Sequence, residues 1–133
     1  KNNVIIHQKD SRSLSTYVKP NSIDYVFTSP PYFDALDYTA YYAKFVLPIL
    51  GIDRLHVKKN LIQSTKTYEN DMNLVLNEII KVTKDDAVII FVVGDKKIGD
   101  EIINGGKFFS KLLKKKVKIK TGLKSKEKVL ECY

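Results

Sequence analysis

The tetrapeptide Ser29-Pro30-Pro31-Tyr32 closes the apolar run Ile23-Asp24-Tyr25-Val26-Phe27-Thr28, and its residue types at that spacing suit chemistry. Each proline lacks an N–H and has φ locked near about −65°, so neither can continue a central strand or a helix. The run must stop at Thr28, and the backbone must leave it as a rigid, extended corner. That corner turns the Ser29 side chain and the neighbouring carbonyls outward, with an aromatic ring just beyond. A small acceptor, fixed carbonyls and a stacking face at a strand's carboxyl end are suited to holding a planar group that bears an exocyclic amine. A Pro-Pro pair also occurs as plain punctuation of a surface loop.

The surroundings of the corner carry a resemblance. Thr28-Ser29-Pro30-Pro31-Tyr32 after a strand resembles the catalytic motif of the amino-methyltransferases, (Asp/Asn/Ser)-Pro-Pro-(Tyr/Phe/Trp). Asp10-Ser11-Arg12-Ser13-Leu14, Pro20-Asn21-Ser22-Ile23-Asp24, Asp37-Tyr38-Thr39 and Val92-Val93-Gly94-Asp95 resemble the same family, in its order. Beyond Asp95 the likeness fades. The family moves a methyl from S-adenosylmethionine to a base amine, and its serine form is most typical of DNA cytosine-N4 methyltransferases. The resemblance therefore implies a flipped base in duplex DNA as substrate, with adenine N6 or RNA as variants, in a restriction-modification setting.

Residue by residue, the resemblance implies catalytic roles for Ser29, Pro30, Pro31 and Tyr32. The Ser29 side chain and the Pro30 carbonyl would accept the amine hydrogens, and Tyr32 would stack on the target ring. Ser29 and Asp10 would face the cofactor, whereas Asp34, Tyr38 and Asp95 would line the substrate pocket. Plainer readings stand beside these. Asp10 precedes Ser11-Arg12 where a helix-capping Asp belongs, Asp34 and Asp37 are loop carboxylates, and Tyr38 sits at the helical spacing of core aromatics. No metal is called for: His7 and His56 stand alone, without a Cys/His cluster at metal spacing.

Composition bounds the rest. The 133 residues suffice for one domain, and 44% apolar with 29% charged is the balance of an ordinary soluble globular protein. No apolar run is long enough to span a membrane, and the N-terminus lacks a secretory pattern, so a cytoplasmic location is expected. The single cysteine, Cys132, reads as a small apolar residue of a strand. The net charge of +8 is uneven: residues 100–133 carry ten lysines against Asp100, Glu101, Glu127 and Glu131. Such a face attracts phosphates, in a salt-dependent way. It also supports a second function class, a non-catalytic basic module that binds nucleic acid.

Elements must position these residues. Val4–His7 reads as a short strand running into Asp10, with a helical or turn segment over 11–19. Residues 23–28 read as a second strand. Tyr38, Tyr41, Tyr42 and Phe45 recur at helical steps, predicting a helix over 36–50 with Gly51 as its left-handed cap. Met72, Leu74, Val75, Leu76, Ile79, Ile80 and Val82 predict a strong helix over 67–83. Asp85-Asp86 reads as a turn before a buried strand over 87–93, and Gly105-Gly106 as a second turn. A helix is expected over 108–116, with a closing antiparallel pair over 117–120 and 128–133. Strands alternating with helices predict an α/β fold: a Rossmann-like methyltransferase sheet of about five strands, mostly parallel with an antiparallel edge hairpin.

The chain then reads as one partial domain, 1–133, the substrate-side half of an enzyme. The Gly-rich loop that holds the cofactor in this family has no counterpart among the six glycines. In circularly permuted members the motif precedes that loop, so the cofactor half is expected after Tyr133 or from a partner chain.

Overall fold

The computed structural model describes residues 3–32, 37–41, 43–98 and 100–120. Its centre is the helix α4, Tyr68–Val82, whose buried Tyr68, Met72, Val75, Leu76, Ile79 and Val82 recur on one stripe. Glu69 and Asp71 in the first turn and Lys81 in the last oppose the helix dipole. The C-terminal carbonyls are taken up locally: Thr83 Oγ1 donates to the Ile79 carbonyl, Asn21 N to Lys81, and Ser22 N to Val82. The helix predicted over 67–83 is therefore present with nearly the same ends.

No loop separates α4 from strand β2, Thr83–Phe91, which pairs in parallel with β1, Ile23–Thr28. Between Ile23 and Tyr25 of β1, β2 advances from Thr83 to Val88, so residues 84–87 bulge out of register. The expected Asp85-Asp86 turn is this bulge, inside the strand. One face of the pair presents Val26, Ile89, Phe91 and Val93 to α4 and to α5, Gly105–Lys120. There Phe109 stacks on Phe91 at 5.3 Å, and Phe108 meets Phe109 edge-on. The opposite face is open: Tyr25 is 76% exposed and Phe27 75%, and Val88, Ile90 and Val92 lie beside them.

A kinked 3-10 segment, Ser11–Thr16, straps across α4. Ser15 donates both its backbone N–H and its hydroxyl to Glu78 Oε2, at 2.8 and 2.6 Å, and Arg12 reaches Asp71 at 2.9 Å. Three short helices fill the crossover from β1: α1 (Tyr38–Tyr41), α2 (Val46–Ile49) and α3 (Arg54–Asn60). An antiparallel pair, β3 (Lys96–Ile98) and β4 (Glu101–Ile103), follows β2.

Several expectations need correction. The described residues form mixed helix and strand in two separate two-stranded sheets, one parallel and one antiparallel, rather than one sheet of five strands. Residues 4–7 are exposed and belong to no ladder, because no described strand flanks them. The helix expected over 36–50 is broken. A proline inside a helix clashes with the carbonyl four residues back, so a second helix starts at Val46 and puts Pro48 in its first turn. Gly51 does take the left-handed cap, with φ at 66°. Gly105 and Gly106 open α5 rather than forming a turn, and residues 117–120 are its last turn rather than a strand. The strand expected over 128–133, with Cys132, lies outside the described residues.

Two outcomes test this packing. Leu76 is fully buried, so Leu76→Ala should cost about 2–5 kcal/mol in urea unfolding. The Glu78 carboxyl is held at about 2 by Lys81 first and then by the Ser15 hydroxyl and amide, against an ordinary 4.5. A depressed acid adds stability that is complete above its ordinary value and lost as pH falls through the folded one. Glu78→Gln should therefore flatten the stability-versus-pH slope between 4.5 and about 2, as followed by acid titration of circular dichroism.

Candidate functional site

The corner after β1 sits beside the end of β2. Val92 N donates to the Thr28 carbonyl at 2.9 Å, which carries the parallel pairing one residue past β2. Ser29 is exposed, Pro30 buried and Pro31 half-buried, with both prolines trans. Tyr32 is 42% exposed, and its ring edge lies over the Gly94 backbone. A Cβ built on Gly94 would stand 3.9 Å from Tyr32 Cε1 and Cζ. Four residues of one motif and the end of a second strand thus share one rim.

Two further contacts fix that rim from behind. The Tyr68 hydroxyl donates to the Pro31 carbonyl at 2.5 Å, from the first residue of α4. Gly105, the first residue of α5, comes so close that a Cβ there would lie 2.5 Å from the Gly94 carbonyl oxygen. Only glycine allows this approach of helix to loop. The N-terminus of α5 is closed by Asn104, whose Oδ1 accepts from Lys107 N at 2.7 Å. Asp95 completes the cap: it accepts from Gly105 N at 3.0 Å and from Asn104 Nδ2 at 3.1 Å.

The structure distributes the remaining candidates unevenly. Asp95 is adjacent to the rim, but its carboxylate is committed to the start of α5. Asp10 caps the 3-10 segment through Arg12 N at 2.8 Å and is gripped by the Arg12 guanidinium, which holds its carboxyl below the usual range. The hydrogen bonds of the Asp10 carboxylate thus go to Arg12 and not to the corner. Tyr38 opens α1 and is half-buried, close enough to Tyr68 to help raise that phenol. Asp34 lies outside the described residues.

Asp37 holds the crossover together. It accepts from Thr39 N, Thr39 Oγ1 and Ala40 N, and pairs with Arg54 and Lys58, which pin α1 to α3. The Lys58 ammonium and then the Thr39 hydroxyl hold its carboxyl far below the ordinary range. Beside it, a cleft of about 780 Å³ runs past Arg12, Lys58, Lys59, Ser64, Lys66 and Thr67 to the start of α4. Lys59 and Lys66 have no carboxylate partner among the described residues. No group of three His, Cys, Asp or Glu among the described residues could hold a metal, and no helix among them is long and apolar enough to cross a membrane.

Tyr68 and Asn104 support the site without having stood out in the sequence, and Gly105 stood out only as half of an expected turn. Tyr68 is hidden there as one more apolar position of a helical stripe. For the glycine pair, a preceding Asn with an Asp upstream was the available signal of a helix start. Gly105→Ala should push the Gly94 loop off its place: about 1–3 kcal/mol of destabilisation, with perturbed Tyr32 and Gly94 amide resonances. Gly94→Ala, which meets only ordinary contacts, should leave the stability nearly unchanged. Set against known protein families, curated proteins and solved structures, the chain matches none of them.

Proposed function

We propose that this chain is the substrate-side part of an amino-methyltransferase, gripping the exocyclic amine of a DNA base, cytosine N4 first. The observation that carries this reading is the rim itself. An exposed Ser29 and a half-open Tyr32 ring stand at the carboxyl ends of two parallel strands, where open α/β sheets bind their ligands. A finer fold assignment goes with it: the parallel pair as two neighbouring strands of a Rossmann-like sheet.

The chemistry asks for fixed acceptors. A base amine is a poor nucleophile because its lone pair is delocalised into the ring. Acceptors that draw both amine hydrogens into one geometry let the nitrogen become tetrahedral as it attacks. Ser29 Oγ and the Pro30 carbonyl take that part, and Tyr32 stacks on the ring. A stack is worth about 1–3 kcal/mol per base, offsetting part of the cost of extruding it from a duplex. The remaining gain is alignment.

S-adenosylmethionine supplies the electrophilic methyl in this reading, but the described residues do not make its pocket. The Asp10 carboxylate is occupied by Arg12, and the sequence holds no Gly-rich loop after a strand. In this reading, groups beyond the described residues hold the cofactor. The open apolar face of Tyr25, Phe27, Val88, Ile90 and Val92 agrees with that, since parallel strands are ordinarily covered on both faces.

The full-length gene product with labelled S-adenosylmethionine and duplex DNA should form N4-methylcytosine on nucleoside analysis. Ser29→Ala should lower the rate about a hundredfold or more, and Pro30→Ala, which keeps the carbonyl but frees the φ that aims it, should lower it as well. Full activity in both variants rejects these roles, and N6-methyladenine or methylated RNA reassigns the substrate. The uneven lysine charge favours one other reading, a non-catalytic nucleic-acid-binding module. Salt-sensitive DNA binding with no calorimetric heat for S-adenosylmethionine would select it.

A further inference from the structure

The Pro-Pro corner has a mechanical weakness that one buried side chain answers. Proline rings lock φ but leave ψ free, so the carbonyl planes of the corner can still swing. From the core, Tyr68 Oη reaches one of them, at 2.5 Å from the Pro31 carbonyl oxygen. Tyr68 is itself immobilised. It is 1% exposed, its N–H bonds to the Ser64 carbonyl at 2.8 Å, and its ring meets Phe108 at 5.8 Å inside the main apolar cluster.

We infer that Tyr68 is a positioning residue: its hydroxyl fixes the peptide plane joining Pro31 to Tyr32 to the protein core. This inference rests on the base-amine reading and deepens it. The plane of that peptide sets the direction from which the Tyr32 side chain leaves the backbone, and so holds its ring over Gly94. The same hydrogen bond occupies the Pro31 carbonyl. Ser29 is the exposed acceptor-bearing residue left at the corner, and the base-amine reading takes the Pro30 carbonyl as the second acceptor for a group that offers two hydrogens.

The donor is durable. Burial, with neighbouring Tyr38, pushes the Tyr68 phenol up to about 12, so it keeps its proton at any working pH. The tyrosine ring fills the same space as the phenylalanine that Tyr68→Phe introduces, so that variant removes the hydrogen bond and leaves the packing.

Tyr68→Phe in the full-length protein should lower kcat for methyl transfer about tenfold, with KM for duplex DNA within about threefold, because phosphate contacts dominate DNA affinity. Carbonyl-13C proline labelling gives a readout that needs no activity. The Pro31 carbonyl resonance should move in Tyr68→Phe while that of Pro30 stays. Unchanged kcat and KM in an active enzyme overturn the positioning role and leave the base-amine reading intact. A wild-type protein that transfers no methyl overturns that reading instead. In that case the Pro31 resonance decides on Tyr68, and an unmoved signal overturns the inference.

Discussion

The stripe on α4 and the covered face of the parallel pair hold each other in place, and the rim depends on that contact. Leu76 and Met72 are buried in the cluster that Val26, Ile89, Phe91 and Val93 join from the sheet. At the N-terminal end of the stripe stands Tyr68, which reaches the Pro31 carbonyl. At the other end, Lys81 and Val82 accept from Asn21 and Ser22, just before β1 begins. One helix therefore anchors both ends of the strand that delivers the motif. Its burial is chiefly apolar and non-directional, whereas the hydrogen bonds at its two ends set direction.

Behind the rim the second helix works by proximity. Because Gly105 has no Cβ, the start of α5 can press against the Gly94 carbonyl, and Asp95 and Asn104 close the orphan N–H groups that this approach exposes. The Asp95 carboxylate, expected from the sequence as a pocket group, serves here as a cap. Asp10 follows the same logic beside Arg12. Carboxylates near helix starts are drawn to unpaired N–H groups and to cations. Asp10 found its partner two residues along, whereas those of Asp95 came nine and ten residues on, across the β3–β4 pair.

What was readable from residues alone was whatever depends on short-range rules. The corner at Pro30-Pro31, the helix of Met72 to Val82, the left-handed Gly51 and the capping alternative for Asp10 all follow from φ limits, periodicity or a side chain reaching two residues along. Misreadings came where a partner decides. Val4 to Ile6 have strand-like residues, yet a strand needs a neighbour, and none of the described strands flanks them. Residues 117–120 alternate as a strand would, but they extend a helix that was already nucleated. The helix over 36–50 had a local signal against it in Pro48, which the aromatic spacing masked.

The linear order of residues was enough to establish where the backbone must leave β1 and that Met72 to Val82 form a helix with an apolar stripe, because excluded volume and apolar periodicity act within a few positions. It overstated burial at Leu74 and along 87–93, where Val88, Ile90 and Val92 are exposed. It could not say that Tyr68 would meet Pro31 across thirty-seven residues, that Asp95 would turn to a helix start, or that Tyr25 and Phe27 would face outward. Those pairings depend on which elements pack against which, and only the folded chain brings such distant groups within the few ångströms over which hydrogen bonds and close packing act.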